Sequence, residues 1–143
     1  MAVKVLVVDD DNDVRAMIVD VLHTDPGISA VIEAVNGKDA LDLAGREQPQ
    51  IVVIDIMMPQ MDGLETTRQI KRAWPKTKVI IVTGFTQEAY RTAASERGAD
   101  AFVAKYDMST ALLPLIHKLM REPRPGLPPN HHIPDLIPER ARE

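Results

Sequence analysis

Two aspartates, a threonine and a lysine each follow directly on a short apolar run, two more aspartates stand beside the first, and together they could handle a phosphoryl group. Residues 3–8 run into Asp9-Asp10-Asp11, residues 51–54 into Asp55, residues 79–82 into Thr83, and residues 101–104 into Lys105. Clustered carboxylates repel one another, and such a cluster is stable when a cation or a proton neutralises it. Hard carboxylate oxygens favour Mg2+ over zinc here, since the chain has no cysteine and no well-placed histidine. One aspartate could then act as nucleophile toward phosphorus and form an aspartyl phosphate. Thr83 could donate a hydrogen bond to a phosphoryl oxygen, and Lys105 could set a point charge on another. Catalysis of that kind is positioning plus charge neutralisation.

These residues can only act together if the chain brings them to one place. Short β-branched runs bounded by turn residues read as buried strands of a parallel sheet, and ligand sites form beyond the carboxyl ends of such strands. Between the runs lie helical patterns. Val14, Met17, Ile18, Val21 and Leu22 follow amphipathic spacing, with Asp11 or Asp13 as the cap and Asp25-Pro26-Gly27 as the stop. A strand is expected at 28–34, a turn at Asn36-Gly37, a helix at about 38–46 and a break at Gln48-Pro49. A helix from about Leu64 should stop at Trp74-Pro75. Thr86 can cap a fourth helix that Gly98 ends, and Ser109 can cap a fifth, which contains Pro114. Five strands alternating with five helices predict an α/β fold: a doubly wound, flavodoxin-like parallel sheet of order 2-1-3-4-5. That order makes the ends at Asp9, Asp55 and Thr83 neighbours.

The chain of 143 residues, 45% apolar but only 3% aromatic, suits one domain with an aliphatic core. A net charge of −4 gives no electrostatic reason to expect nucleic acid or an anionic membrane as partner. No signal peptide precedes the first strand and no apolar run approaches a membrane span, so a cytoplasmic protein is expected. The domain should occupy residues 1–120. Residues 121–143 carry six prolines, paired histidines at 131 and 132 and no helical periodicity, which reads as an extended or disordered tail or linker.

Each feature alone has an ordinary reading. An aspartate after a strand is a common cap, Asp62-Gly63 a plain turn, Thr83 a satisfied hydroxyl, Lys105 a solvated surface charge and His131-His132 merely exposed imidazoles. The occurrence at four successive strand ends favours the joint reading. A calcium loop starting at Asp9 is a weak reading, because Val14 and Asp20 stand where glycine and glutamate are needed. A phosphatase with its nucleophile after the first strand fits poorly, as Asp13 occupies the fifth position of that motif and no cap domain follows.

Taken as a set, these residues resemble the receiver domain of two-component response regulators, over about residues 3–120. The resemblance rests on Asp9-Asp10, Asp55, the loop Met58-Pro59-Gln60-Met61-Asp62-Gly63, Thr83-Gly84, and Phe102 with Lys105. It implies that Asp55 is the phosphoacceptor and that Asp10, Asp55 and the backbone carbonyl of Met57 bind Mg2+, with Asp9 reaching the metal directly or through water. Thr83 and Lys105 are implied to bind the phosphoryl group, and Phe102 to be a switch aromatic that turns inward as Thr83 moves. The implied donor is a sensor histidine kinase or a phosphotransfer protein. The readout is a face built from the fourth helix, fifth strand and fifth helix, which another protein or a second copy in a homodimer would recognise.

One residue departs from the family pattern. Tyr106 stands where proline usually follows the lysine, and a trans bond is expected there. This makes the chain more similar to receivers that precede a helix-turn-helix output domain. No such domain is present, so a stand-alone receiver or a fragment cut in a linker is expected, with no direct nucleic-acid binding. Met57 and Phe85, both apolar, flank the expected path of attacking water, which implies slow self-dephosphorylation, while Gly84 leaves the site open. Two other readings compete: a constitutive interaction module that is never phosphorylated, and a Mg2+-dependent phosphatase. The complete residue set argues against the first, and the lack of a substrate pocket against the second.

Overall fold

Valine and isoleucine fill the strands because branched side chains pack well on a pleated surface covered on both faces. A computed structural model describes residues 2–58 and 61–121. The expected tail, apart from Arg121, and Pro59-Gln60 of the long loop lie outside the described residues. The strands are β1 (Val3–Val8), β2 (Ile28–Ala34), β3 (Ile51–Ile54), β4 (Lys78–Thr83) and β5 (Ala101–Ala104). Between and after them come α1 (Asn12–His23), α2 (Gly37–Glu47), α3 (Gly63–Ala73), α4 (Glu88–Glu96) and α5 (Met108–Arg121). All pairings are parallel, in the order β2-β1-β3-β4-β5 that the alternation predicts.

Alternate strand residues feed two cores. Val5, Val7, Val53, Ile80 and Val82 meet Ile18 and Leu22 of α1 and Leu112 and Ile116 of α5. On the other face Leu6, Val8, Val52, Ile54 and Ile81 meet Ala40 and Ala44 of α2, Ile70 of α3 and Ala94 of α4. Small residues let helices approach closely: a Cβ on Gly45 of α2 would lie 3.3 Å from the ring of Trp74, which caps the far end of α3. No helix among the described residues is long and apolar enough to cross a membrane.

Helix starts show where local signals rule and where they do not. Asp11 caps α1, accepting from the amides of Asp13 and Val14. Asn36 caps α2 through Asp39, and Asp62 caps α3 through Glu65. Gly98, at φ 95°, takes the left-handed turn that ends α4. Two expected caps are not used. Thr86 does not cap α4; Gln87 precedes it without a side-chain bond. The Phe85 amide is held by the Thr83 hydroxyl at 3.2 Å and the Phe85 ring leans on Tyr90, so the helix starts beyond that contact, with Glu88 suited to its positive end. Ser109 lies inside α5 rather than before it. A single 3-10 turn, Lys105–Asp107, leads directly into the helix, and the Lys105 carbonyl accepts the Met108 amide without a side-chain cap. Pro114 sits within α5, and the described residues contain no cis peptide, so Lys105–Tyr106 is trans as expected.

Candidate functional site

The strand registers carry the reactive residues to one edge. Val8 pairs with Ile54, Ile54 with Ile81 and Thr83 with Ala104, so the residues after β1, β3 and β5 emerge beside the end of β4. Backbone bonds extend the ladder one step past the strands: the Asp9 amide donates to Ala34 and the Asp55 amide to Val8, both at 3.2 Å. This sinks both carboxylates at the sheet edge, with Asp9 only 1% and Asp55 only 5% exposed. Asp10, the next residue, is exposed.

Carboxylate oxygens of Asp9, Asp10 and Asp55 lie within 4.8 Å of one another. One oxygen of each buried acid is engaged locally: Asp9 Oδ1 accepts from the Asp11 amide at 2.9 Å and Asp55 Oδ1 from the Ile56 amide at 2.7 Å. Lys105 Nζ donates to Asp55 Oδ2 at 2.9 Å and lies 3.6 Å from Asp9 Oδ2. Asp9 Oδ2 is buried and has no hydrogen-bond partner. A buried anionic oxygen without a donor is costly, and this one faces two other carboxylates. The arrangement fits a hard divalent cation, which would give that oxygen its missing partner.

The charges leave their mark on proton affinity. Burial raises the Asp9 carboxyl above its ordinary range; the charges of Asp55 and Asp10 add to the rise, and the Asp11 amide and Lys105 oppose it without cancelling it. Burial alone would lower Lys105, but its bond to Asp55 and the charges of Asp55 and Asp9 outweigh that and raise it. The folded chain therefore binds a proton at Asp9 more tightly than the unfolded chain does. Stability falls as pH rises from the ordinary carboxylate range through the raised value, and above it the whole penalty is present. Asp9→Asn should remove this penalty at neutral pH. We expect its melting temperature without divalent cations to rise by a few degrees, the scale of about 1 kcal/mol for this size. The same variant should lose most of any stabilisation that a divalent cation held by the three acids provides. Melting curves in chelator and in Mg2+ check both signs; a lower melting temperature in chelator would contradict the burial argument.

The remaining expected residues surround this centre. Thr83 is fully buried at the end of β4, and its oxygen accepts the Phe85 amide, leaving its O–H to donate elsewhere. Met57 and Phe85 are 43% and 40% exposed on the neighbouring loops, and a Cβ on Gly84 would meet nothing within 4 Å. Phe102 is already buried on β5, with the guanidinium of Arg91 4.6 Å from the centre of its ring.

Two residues bear on the site in ways the sequence did not show. Gly63 begins α3, and its amide donates to the Ile56 carbonyl at 2.7 Å, bringing the start of α3 against the end of β3. Asp62-Gly63 is thus a helix cap joined to a tight backbone crossing rather than a plain turn. Arg15 of α1 bonds the backbone carbonyl of Asp9. No local motif marks Arg15 for this role, and the loop motif that contains Gly63 does not reveal the backbone crossing.

Comparison with known proteins agrees with this geometry. Residues 5–116 match the response regulator receiver domain model. The chain is 35% identical over 118 residues to the response regulator protein VraR of Staphylococcus epidermidis, an alignment covering 82% of this chain and 56% of that protein. The chain thus spans about half the length of that relative. Among solved structures, the response regulator domain of Thermotoga maritima CheB superposes with a TM-score of 0.80 at 28% identity, covering 87% of this chain and 100% of that one. A LuxR-family DNA-binding response regulator from Staphylococcus aureus superposes with a TM-score of 0.76 at 31% identity, covering 82% of this chain and 98% of that one. With its acids, threonine and lysine gathered at one end of a 2-1-3-4-5 sheet, the chain belongs to the response regulator receiver domain family.

Proposed function

We propose that Asp55 is the phosphoacceptor of this receiver and that a sensor histidine kinase or a phosphotransfer protein is the donor. The observation that carries this is the ion pair of Lys105 with Asp55 beside two further carboxylates. A carboxylate oxygen of Asp55 attacks the donor's phosphorus. The new bond is from that oxygen to phosphorus, and the bond from phosphorus to the donor nitrogen breaks with its electron pair leaving on the imidazole. Mg2+, held by Asp9, Asp10, Asp55 and the Met57 carbonyl, would neutralise the carboxylates and the phosphoryl oxygens. Lys105 keeps its charge at the acceptor throughout and passes from the carboxylate to a phosphoryl oxygen, while the Thr83 hydroxyl donates to another. Movement of Thr83 then draws on Phe102 and shifts the packing of the face formed by α4, β5 and α5.

On this reading residues 1–120 are the receiver and 121–143 a tail or linker, and the chain works in the cytoplasm. Its readout is protein contact, including pairing with a second copy, rather than direct binding of nucleic acid or membrane. The DNA-binding name of one relative suggests that such a face governs an output domain elsewhere in proteins of this kind.

Incubation with Mg2+ and acetyl phosphate, followed by intact-mass measurement, tests the proposal. A gain of one phosphoryl group, labile in base and abolished by chelator, is expected. No gain at any donor concentration, with Mg2+ shown to bind, would overturn it in favour of an interaction module. The apolar side chains of Met57 and Phe85 offer no group to orient an attacking water. After donor removal we therefore expect the phosphoryl group to persist for many minutes, and loss within seconds would contradict that.

A further inference from the structure

We propose that Arg15 is the positioning residue of the metal-binding loop, holding Asp9 and Asp10 in place through the backbone of Asp9. This rests on the proposed Mg2+ site and adds a residue to it. Arg15 lies at the end of the first turn of α1, where the helix dipole favours acids and disfavours a cation, so its placement needs another cause. Three bonds supply one. Nη1 donates to the Asp9 carbonyl at 2.8 Å, Nη2 to Asn12 Oδ1 at 2.6 Å, and Nε to Glu33 Oε1 at 2.9 Å. One guanidinium thereby ties the exit of β1, the start of α1 and the edge strand β2. Its side chain is only 13% exposed, against 50% for Glu33, so the fork is packed in place while its outer partner is wet.

The loop it spans is unusual in its charge. Residues 9–13 contain four aspartates, and Arg15 is the cation bound to their backbone. Without a metal, mutual repulsion drives these carboxylates apart, and the loop must be held against it. Asp9 Oδ2 is buried without a hydrogen bond, at 3.6 Å from Lys105, and Asp10 is exposed, so the backbone between the two acids does much to set their positions. The fork fixes that backbone before the cation arrives. A ligand's outer partner of this kind commonly contributes tenfold or more in metal affinity.

Two effects of Arg15 on Mg2+ oppose each other, which makes the inference testable. A nearby positive charge repels the cation, whereas a fixed loop favours it. Lysine keeps the charge but cannot form the planar three-way fork, and glutamine loses both. Calorimetric titration of the full chain with MgCl2 separates the cases. We expect Arg15→Lys and Arg15→Gln each to raise the Kd for Mg2+ by about tenfold. Glu33→Gln, which keeps the fork's contact with Asp9 and weakens only its outer partner, should raise it by a smaller factor. Melting temperature in chelator is measured alongside, because a merely structural role would lower it and leave Kd at the assay temperature unchanged. An unchanged Kd in the folded variants overturns the inference. So does tighter binding by Arg15→Gln with Arg15→Lys unaltered, which would make Arg15 a repelling charge only. Should Arg15→Gln fail to fold, Arg15→Lys and Glu33→Gln decide on the same terms. Wild-type protein that binds no Mg2+ would instead overturn the site on which the inference rests.

Discussion

Asp55→Ala should take up no phosphoryl group from acetyl phosphate under conditions that load the wild type. The acid it removes is the one joined at 2.9 Å to Lys105, whose charge offsets the negative charge that builds as the donor approaches. The neighbours are poor substitutes. Asp9 is buried with one oxygen tied to the Asp11 amide, and Asp10 stands on the exposed side without that cation within bonding distance. The fold should survive, since one of three repelling carboxylates is gone and Lys105 keeps Asp9 nearby. We expect stability within about 1 kcal/mol of wild type, the ordinary range for substitutions that open no large cavity. Intact mass and base lability are the readouts, and an undiminished gain in the variant would move the acceptor to another residue.

Gly63→Ala should destabilise the protein by about 3 kcal/mol or more. A Cβ at this position would lie 1.8 Å from the carbonyl oxygen of Asp55, 2.7 Å from its carbonyl carbon and 3.0 Å from the Cα of Ile56. These are backbone atoms at the end of a central strand, so no side-chain rotation relieves the overlap. Either the start of α3 withdraws, breaking the hydrogen bond from the Gly63 amide to Ile56 and disturbing the Asp62 cap, or Asp55 itself shifts. Both routes displace the chain that positions Asp55, so phosphorylation should fall along with stability. Gly84→Ala is the control, because a Cβ there meets nothing within 4 Å. Urea unfolding of both variants checks the contrast; equal midpoints would show that the loop yields more readily than this packing implies.

The strands β3 and β5 and the order of the sheet could be read directly from the chain. Residues 51–54 and 101–104 are short apolar runs closed by turn-forming or charged residues, and they fold over those same spans. The acids, Thr83 and Lys105 were legible because each lies just past such a run, where sheet geometry decides its surroundings. Caps were less legible where tertiary contacts compete. Asp11 behaves as its type suggests, whereas Thr86 loses to the contact between Phe85 and Tyr90, and Ser109 to the 3-10 turn that leads into α5. Arg15 was not legible as a site residue, and Gly63 was legible only as part of the loop motif, not as a close backbone crossing. Their importance depends on a backbone carbonyl six residues away and on a strand end eight residues away, and neither distance carries a periodic signal.

The position of Trp74 has an optical consequence. It is the chain's single tryptophan and lies at the end of α3 opposite Asp62 and Gly63. An 11-residue helix is about 16 Å long, so the indole is separated from the acidic edge by the length of α3. Packed over Gly45, it reports on the seam between α2 and α3 rather than on the charge state of Asp55. Tryptophan emission from this protein is therefore a gauge of unfolding and a blind one for cation or phosphoryl occupancy. A fluorescent reporter of those events has to be introduced at the other end of the sheet.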